Sequence, residues 1–281
     1  MLRMLWATLG IVACFAPLAR AQQPPALTLV VLDPLAADLA CPCVKGYAQR
    51  DYTALAEFLR KQIGRPVQLH FAQTLAGALK NKTAGKADLI IGKDSVIRYA
   101  AKQAKLEIEP LAALTGLDGK TTIKGLWIVH SMDKALVPND LAGYRLIFGN
   151  EDADEKYAAG LELPKSFEVK IPENKESCDS CSTAAKKVID GFQAGEKIAA
   201  LISSYAQPLL EGCGTVQKGE LRVVGETAEV PFITAFASTK LGSRERDGLR
   251  EALLALGKNP ELCKKLETKH GFVTRDAAKK K

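Results

Sequence analysis

The first part of the chain alternates short apolar runs with segments of helical periodicity. Leu27 to Leu32 is a β-branched apolar run between two prolines and predicts a buried strand. Asp51 is a candidate N-cap for a helix that ends at Gly64. The same patterns predict strands at 67–71 and 87–91, a helix at 75–82, and a helix from Ser95, as its cap, to 104. The resulting β-α-β-α-β-α order favours a mainly parallel sheet covered by helices.

The alternation restarts after two further apolar runs at 108–114 and 123–129. Strands are predicted at 145–148, 167–171 and 198–203, helices at about 154–161 and 182–192, and a further apolar segment at 205–210. Strand-like runs at 221–224 and 232–237 precede predicted helices at 243–256 and 260–270, the last followed by Gly271. Two halves of similar kind indicate two α/β lobes that face a cleft, with ligands at the carboxyl ends of the strands.

The composition narrows the class of protein. The 281 residues are 47% hydrophobic and 25% charged, which excludes a disordered, collagenous or polytopic membrane protein. The 39 Lys+Arg against 32 Asp+Glu give a net charge of +7, and leaving out Arg3 and Arg20 of the N-terminal segment lowers this to +5 (7 minus 2). Aromatic residues are only 6% and no long basic stripe is present, so we expect no nucleic-acid partner.

Residues 1–21 have the pattern of an export signal. Arg3 precedes an apolar run from Leu5 to Leu18, and Ala19-Arg20-Ala21 is an A-x-A cleavage site. The sequence therefore predicts a protein of the periplasm or cell exterior. In an alternative interpretation, the residues before Cys14 are a lipobox, and the mature protein is lipid-anchored at Cys14.

Six cysteines follow the signal, and four of them form two tight pairs. The pairs are Cys41 with Cys43 and Cys178 with Cys181; the others are Cys213 and Cys263. An even count in an oxidising compartment favours disulfides, such as Cys178–Cys181 and Cys213–Cys263. Two alternatives stay open. The four paired thiolates suit Zn²⁺ or Cu(I), or a thiol-binding ligand, and a C-x2-C at a helix start is also found in thiol-disulfide oxidoreductases.

Several segments in order along the chain resemble one family. They are Val30 to Pro34, Tyr52 to Leu59 with Gly64 to Val67, Ala84 to Leu89, Pro138 to Phe148, Val188 to Gly191, and Glu229 to Phe232 with the helix Leu249 to Leu256. Together they resemble the phosphate/phosphite/phosphonate ABC-transporter substrate-binding proteins. The resemblance covers nearly the whole mature chain.

The resemblance implies an α/β, two-lobed type II periplasmic-binding-protein fold, each lobe a mainly parallel sheet flanked by helices. Lobe one is expected at 26–128 plus 229–281 and lobe two at 129–228, with a hinge between them. Such proteins close over a small ligand, here a phosphonate-like oxyanion, and present it to an ABC permease. It further implies a monomer that is not an enzyme and needs no cofactor, and the sequence contains no Ser/His/Asp arrangement or Walker loop.

Candidate ligand contacts are the polar residues that follow the predicted strands. They are Asp33, Cys41, Cys43, Lys93, Asp94, Ser95, Asn150, Glu151, Cys178 and Cys181. In the family a Ser/Thr-rich turn usually follows the strand that corresponds to 145–148. Here that turn contains four carboxylates, Glu151, Asp152, Asp154 and Glu155, which we expect to repel a phosphonate.

Overall fold

The computed structural model describes residues 24–40, 49–167, 169–170, 173 and 175–274. The described residues form two large sheets, one of six strands and one of five, joined by a two-stranded ribbon. No helix among them is both long and apolar enough to cross a membrane. The predicted signal segment, Cys14, Cys41 and Cys43 lie outside the described residues.

The six-stranded sheet forms the first lobe and has the strand order β13-β4-β12-β3-β1-β2. Its strands are β1 (Leu27–Leu32), β2 (Val67–Phe71), β3 (Leu89–Lys93), β4 (Ile108–Leu114), β12 (Ile233–Ser238) and β13 (Phe272–Val273). β1 pairs in parallel with β2 and β3, whereas β12 and β13 are antiparallel to their neighbours. Leu32 lies opposite Gly92, so β1 and β3 end side by side at one edge of the sheet.

The five-stranded sheet forms the second lobe and has the order β10-β6-β9-β7-β8. Its strands are β6 (Gly125–His130), β7 (Arg145–Phe148), β8 (Glu176–Ser177), β9 (Ile198–Ser203) and β10 (Leu221–Glu226). β7 is parallel to β8 and β9, and β6 is antiparallel to β9 and β10. The carboxyl ends of β7, β8 and β9 therefore lie at the same edge.

Two crossovers join the lobes and pair with each other. They form β5 (Thr122–Ile123) and β11 (Val230–Pro231), which are antiparallel. Thr227 fixes one end of this ribbon, because its backbone N–H donates to the Gly125 carbonyl and its Oγ1 accepts the Gly125 N–H. Paired crossovers of this kind form a hinge between two rigid sheets.

Helices cover both faces of the sheets. They are α1 (Tyr52–Ile63), α2 (Leu75–Asn81), α3 (Asp94–Gln103), α4 (Ala158–Ser166), α5 (Cys181–Gln193), α6 (Ala206–Gly212), α7 (Ser243–Ala255) and α8 (Pro260–Lys265). Helix α1 has the predicted bounds: the Asp51 carboxylate accepts the Ala54 N–H, and Gly64 ends the helix at φ +65°. Each sheet has apolar clusters on both of its faces, as expected for strands buried on both sides.

Most predicted elements are confirmed. The last helix was predicted at 260–270, whereas α8 ends at Lys265, and two further predictions are wrong. Ser95 does not cap α3, which begins at Asp94 after Lys93 with no side-chain cap. Residues 167–171 were expected to form a strand, whereas Phe167 is the C-cap of α4. The strand that pairs with β7 on the side away from β9 is Glu176–Ser177. The lobe boundaries remain predictions. The boundary predicted after residue 128 falls inside β6, which starts at Gly125 and belongs wholly to the second sheet.

Candidate functional site in the cleft between the lobes

The carboxyl ends of strands from both sheets meet in the cleft between the lobes. Asp33 follows β1, Lys93 ends β3, and Ser203 ends β9. The turn after β7 runs from Gly149 to Tyr157 and supplies Glu155. Polar and charged side chains from both lobes are buried at this junction, as expected for the ligand-binding crevice of an open α/β sheet.

Asp33 accepts three hydrogen bonds within the first lobe. Its Oδ2 accepts hydrogen bonds from Arg50 Nη1 at 2.8 Å and from the Tyr52 hydroxyl at 2.6 Å, and its Oδ1 accepts the Leu35 N–H. The Arg50 guanidinium also lies 5.6 Å from the centre of the Phe232 ring. Asp33 therefore orders the wall of the cleft, and its role as a direct ligand contact stays a prediction.

Lys93 and Ser203 meet across the cleft at the carboxylate of Glu155. Glu155 Oε1 accepts a hydrogen bond from Lys93 Nζ at 2.5 Å and another from Ser203 Oγ at 2.6 Å. Glu155 has no exposed surface. Burial alone would raise the pKa of this carboxyl, but the Lys93 ammonium and the Ser203 hydroxyl outweigh it and hold the pKa below its ordinary value. The carboxylate is therefore ionised and bridges the lobes.

Asp154 and the start of α3 form a second contact between the lobes. Ser95 Oγ accepts the Asp154 N–H at 3.2 Å. Arg98 Nη2 lies 2.5 Å from Asp94 Oδ1 and 3.7 Å from Asp154 Oδ2. Sequence reasoning placed Lys93, Asp94 and Ser95 at the cleft, and the structure brings all three to it. Their recorded contacts, however, are with other residues of the chain, so a direct ligand contact stays a prediction for each.

Three of the four carboxylates of the turn after β7 contact different partners. Glu155 is bound by Lys93 and Ser203, Asp154 lies near Arg98, and Glu151 accepts a hydrogen bond from the Tyr157 hydroxyl at the surface. The expected repulsion of an anion is therefore reduced, because Glu155 is neutralised by an adjacent cation. The predicted contacts Asn150 and Glu151 belong to this turn, outside the lining of the cavity described next.

A cavity of about 450 Å³ opens beside the buried contacts. Pro34 and Gln73 of the first lobe form one wall, and the other wall comes from the second lobe. The second-lobe lining is Lys156, Asp179, Ser180, Cys181, Ser182, Tyr205, Ala206, Leu209, Leu210, Cys213 and Thr215. A larger hollow of about 620 Å³ lies between α1 and α7 near Leu27, at the amino end of β1, where ligands of this architecture do not bind.

Lys156 and the start of α5 give this cavity its electrostatic character. Lys156 is buried and has no carboxylate oxygen within ion-pair distance among the residues that the structure describes, and its charge also helps to lower the pKa of the adjacent Glu155. Ser180 caps α5 by accepting the Thr183 N–H, and the N–H groups of Cys181 and Ser182 belong to the first turn, where no intrahelical acceptor exists. A cation, hydroxyl groups and the positive end of a 13-residue helix together favour an anion in the cavity, and the one carboxylate of its lining, Asp179, is exposed to solvent.

The cysteines do not form the predicted arrangements. Cys178, Cys181, Cys213 and Cys263 are all free thiols, so the expected Cys178–Cys181 and Cys213–Cys263 disulfides are wrong. Cys263 packs in the core of the first lobe, whereas Cys178 is buried in the second-lobe core and Cys181 lines the cavity. Among the described residues no group of three or more His, Cys, Asp or Glu is placed to hold a metal ion.

Sequence reasoning missed several residues of the site. The residues that were not predicted are Arg50, Tyr52, Lys156, Ser203 and Tyr205. Ser203 nevertheless ends a strand whose bounds were predicted correctly. The rule that strand ends face the cleft would have found Ser203 and the nearby Tyr205. Lys156 and Arg50 carried no such signal, because each lies in an irregular segment.

Two α/β lobes joined by paired crossovers, with a polar cleft between them, define a type II periplasmic binding protein. A phosphonate-binding protein of an ABC transporter from Pseudomonas aeruginosa has the same fold (16% identity, TM-score 0.60, 90% of this chain and 83% of that one). So does PhnD1 from Prochlorococcus marinus in complex with methylphosphonate (13% identity, TM-score 0.62, 89% and 92%). A Xanthomonas citri protein bound to ATP is a third (16% identity, TM-score 0.62, 90% and 93%). No curated protein matches the chain.

Residues 46–279 match the family model described as "ABC transporter, phosphonate, periplasmic substrate-binding protein". The chain belongs to this family, whose members are extracytoplasmic substrate-binding components of ABC transporters. The predicted family and the two-lobed α/β fold are thereby confirmed.

Proposed function

We propose that the protein binds a small phosphonate-like oxyanion in the cavity between its lobes and delivers it to an ABC permease. The observation that carries the proposal is Lys156, a buried ammonium without an ion-pair partner among the described residues, in a cavity that also contains the start of α5. A phosphonate oxygen is a strong acceptor, and a charge-assisted hydrogen bond from an ammonium is about twice as strong as a neutral one.

The ligand of PhnD1, methylphosphonate, supports the choice of chemical class. A cavity of about 450 Å³ lies within the range of small-molecule sites. We infer that the protein acts as a monomer, converts no substrate and needs no cofactor. We also infer that residues 1–21 direct export, with either cleavage after Ala21 or lipid attachment at Cys14.

Isothermal titration calorimetry with methylphosphonate, phosphite, phosphate and sulfate tests the proposal. We expect the wild-type protein to bind at least one phosphorus oxyanion more tightly than sulfate, and Lys156→Met to weaken that binding by more than about tenfold. Lys186→Met is the matched control, because Lys186 is exposed on α5 and does not line the cavity. Absence of binding to all four ions, or equal loss in both variants, would overturn the proposal.

A further inference from the structure

Glu155 holds the hydrogen-bond donors that an oxyanion would be expected to use. Its Oε1 takes both the Lys93 ammonium and the Ser203 hydroxyl, at 2.5 Å and 2.6 Å. Its Oε2 is buried and accepts no hydrogen bond from any residue that the structure describes. The carboxylate therefore occupies one hydrogen-bond donor from each lobe.

The position of this carboxylate is that of a ligand. Lys93 ends β3 of the first lobe, and Ser203 ends β9 of the second lobe. A ligand in a two-lobed binding protein bridges donors from both lobes at strand carboxyl ends. Here a side chain of the turn after β7 makes that bridge, and Lys93, with 8% of its surface exposed, has little room for a second anion.

We propose that Glu155 is an internal anion that determines ligand specificity: it bars external anionic groups from Lys93 and Ser203, and it leaves the neighbouring Lys156 region as the only anion subsite in the described part of the cleft. This inference rests on the proposed function. A ligand with one anionic group, such as an alkylphosphonate, fits that subsite. A phosphonate with a second anionic group directed at Lys93 would find the Lys93 ammonium and the Ser203 hydroxyl already occupied by Glu155, and a buried anion without donors is strongly disfavoured.

Calorimetry with methylphosphonate and phosphonoacetate tests the inference, because phosphonoacetate adds a carboxylate to the same phosphonate group. We expect the wild-type protein to prefer methylphosphonate by more than about tenfold, and Glu155→Gln to reduce this preference by at least about tenfold. Glu162→Gln is the matched control: it removes an exposed carboxylate of the same lobe that pairs with Lys165 on α4. An unchanged preference in Glu155→Gln would overturn the inference.

A second readout separates this inference from the proposed function. Glu155→Gln leaves the buried Lys93 ammonium without its counter-charge, so inorganic sulfate should raise the thermal midpoint of Glu155→Gln more than that of the wild type. This gain should disappear in the double variant Lys93→Met/Glu155→Gln. The result does not depend on phosphonate binding: a wild type that binds no phosphonate overturns the proposed function, whereas equal sulfate responses overturn the role of Glu155.

The double variant also covers the case in which Glu155→Gln fails to fold. Replacing both members of a buried ion pair is tolerated better than removing one. The double variant lacks the internal anion, so we expect its preference for methylphosphonate over phosphonoacetate to be narrower than that of the wild type. A preference as large as that of the wild type would contradict the inference.

Discussion

Arg50 Nη1 donates a hydrogen bond to Asp33 Oδ2 at 2.8 Å, and both side chains are almost completely buried behind the cleft. The Tyr52 hydroxyl donates to the same carboxylate oxygen. Asp33, which follows β1, is thereby linked to Arg50, just before α1, and to Tyr52, the first residue of α1. The Arg50 guanidinium also contacts the Phe232 ring next to the hinge. One buried ion pair thus fixes the first-lobe wall relative to the crossover.

Asp33→Asn should destabilise the protein by about 3–5 kcal/mol, because it leaves the Arg50 guanidinium buried without its counter-charge. The free energy of unfolding from urea titration measures the effect. Asp38→Asn is the control, since Asp38 is exposed in the following turn, and it should change the free energy by less than about 0.5 kcal/mol. Similar values for the two variants would show that the Asp33 network does not stabilise the lobe.

The cysteines should differ in reactivity according to their place in the fold. Cys181 and Cys213 line the cavity, whereas Cys178 and Cys263 are buried in the two lobe cores. We expect iodoacetamide to modify Cys181 and Cys213 at least about tenfold faster than the two core thiols, as measured by peptide mass spectrometry. All four should react equally in urea. Resistance of Cys178 and Cys181 to alkylation even in urea would indicate a disulfide between them.

The sequence predicted the elements better than the site, for a physical reason. The bounds of three elements were predicted to the residue: Leu27–Leu32, Tyr52–Ile63 and Ile198–Ser203. Apolar periodicity, an N-cap and a C-terminal glycine are local signals, and the sequence shows them directly. Tertiary contacts decide the rest. Ser95 was predicted as a helix cap, but its hydroxyl instead accepts the N–H of Asp154 from the other lobe.

The same limit explains the prediction about the acidic turn. Sequence alone shows four carboxylates near one helix start, and their partners lie far away along the chain. Lys93 is 62 residues from Glu155, and Ser203 is 48 residues away. Only the meeting of the two sheets shows that Glu155 is paired with a cation. The expected repulsion of a phosphonate by this turn stays a prediction.

Glu176 should make the stability of the second lobe sensitive to acid. Arg145 donates two hydrogen bonds to it and Lys187 a third, and the Arg145 hydrogen bonds are the main reason that its pKa falls from 4.5 to about 2. A carboxyl with a lowered pKa in the folded state contributes stability that is complete above its unfolded pKa. That contribution is lost as the pH falls through the folded pKa.

Glu176→Gln should therefore cost about 1 kcal/mol at neutral pH, a value that allows for solvent screening at this partly exposed site. The difference from the wild type should shrink steadily as the pH falls from about 4.5 to about 2. Urea unfolding across this range measures it. Glu162→Gln, on the exposed side of α4, is the control and should show no such trend. A difference that is independent of pH would contradict the assigned ion pairs.

Gly125 should be essential for the position of Glu155. A Cβ at Gly125 would overlap the backbone carbonyl oxygen of Glu155 and press on Leu201. Gly125→Ala must therefore displace the turn after β7 or the start of β6, and overpacking of this kind costs about 1–3 kcal/mol. Because that turn carries both Glu155 and Lys156, the variant should also lose affinity for its ligand.

Gly248→Ala is the matched control. Gly248 is exposed within α7, and a Cβ there would meet no atom within 4 Å. The same chemical change should therefore stabilise the protein, by about 0.4–1 kcal/mol, since alanine restricts the unfolded chain. Urea unfolding should show that the free energy of unfolding falls in Gly125→Ala and rises in Gly248→Ala, relative to the wild type. A Gly125→Ala protein as stable as the wild type would mean that the Glu155 turn is not held against β6.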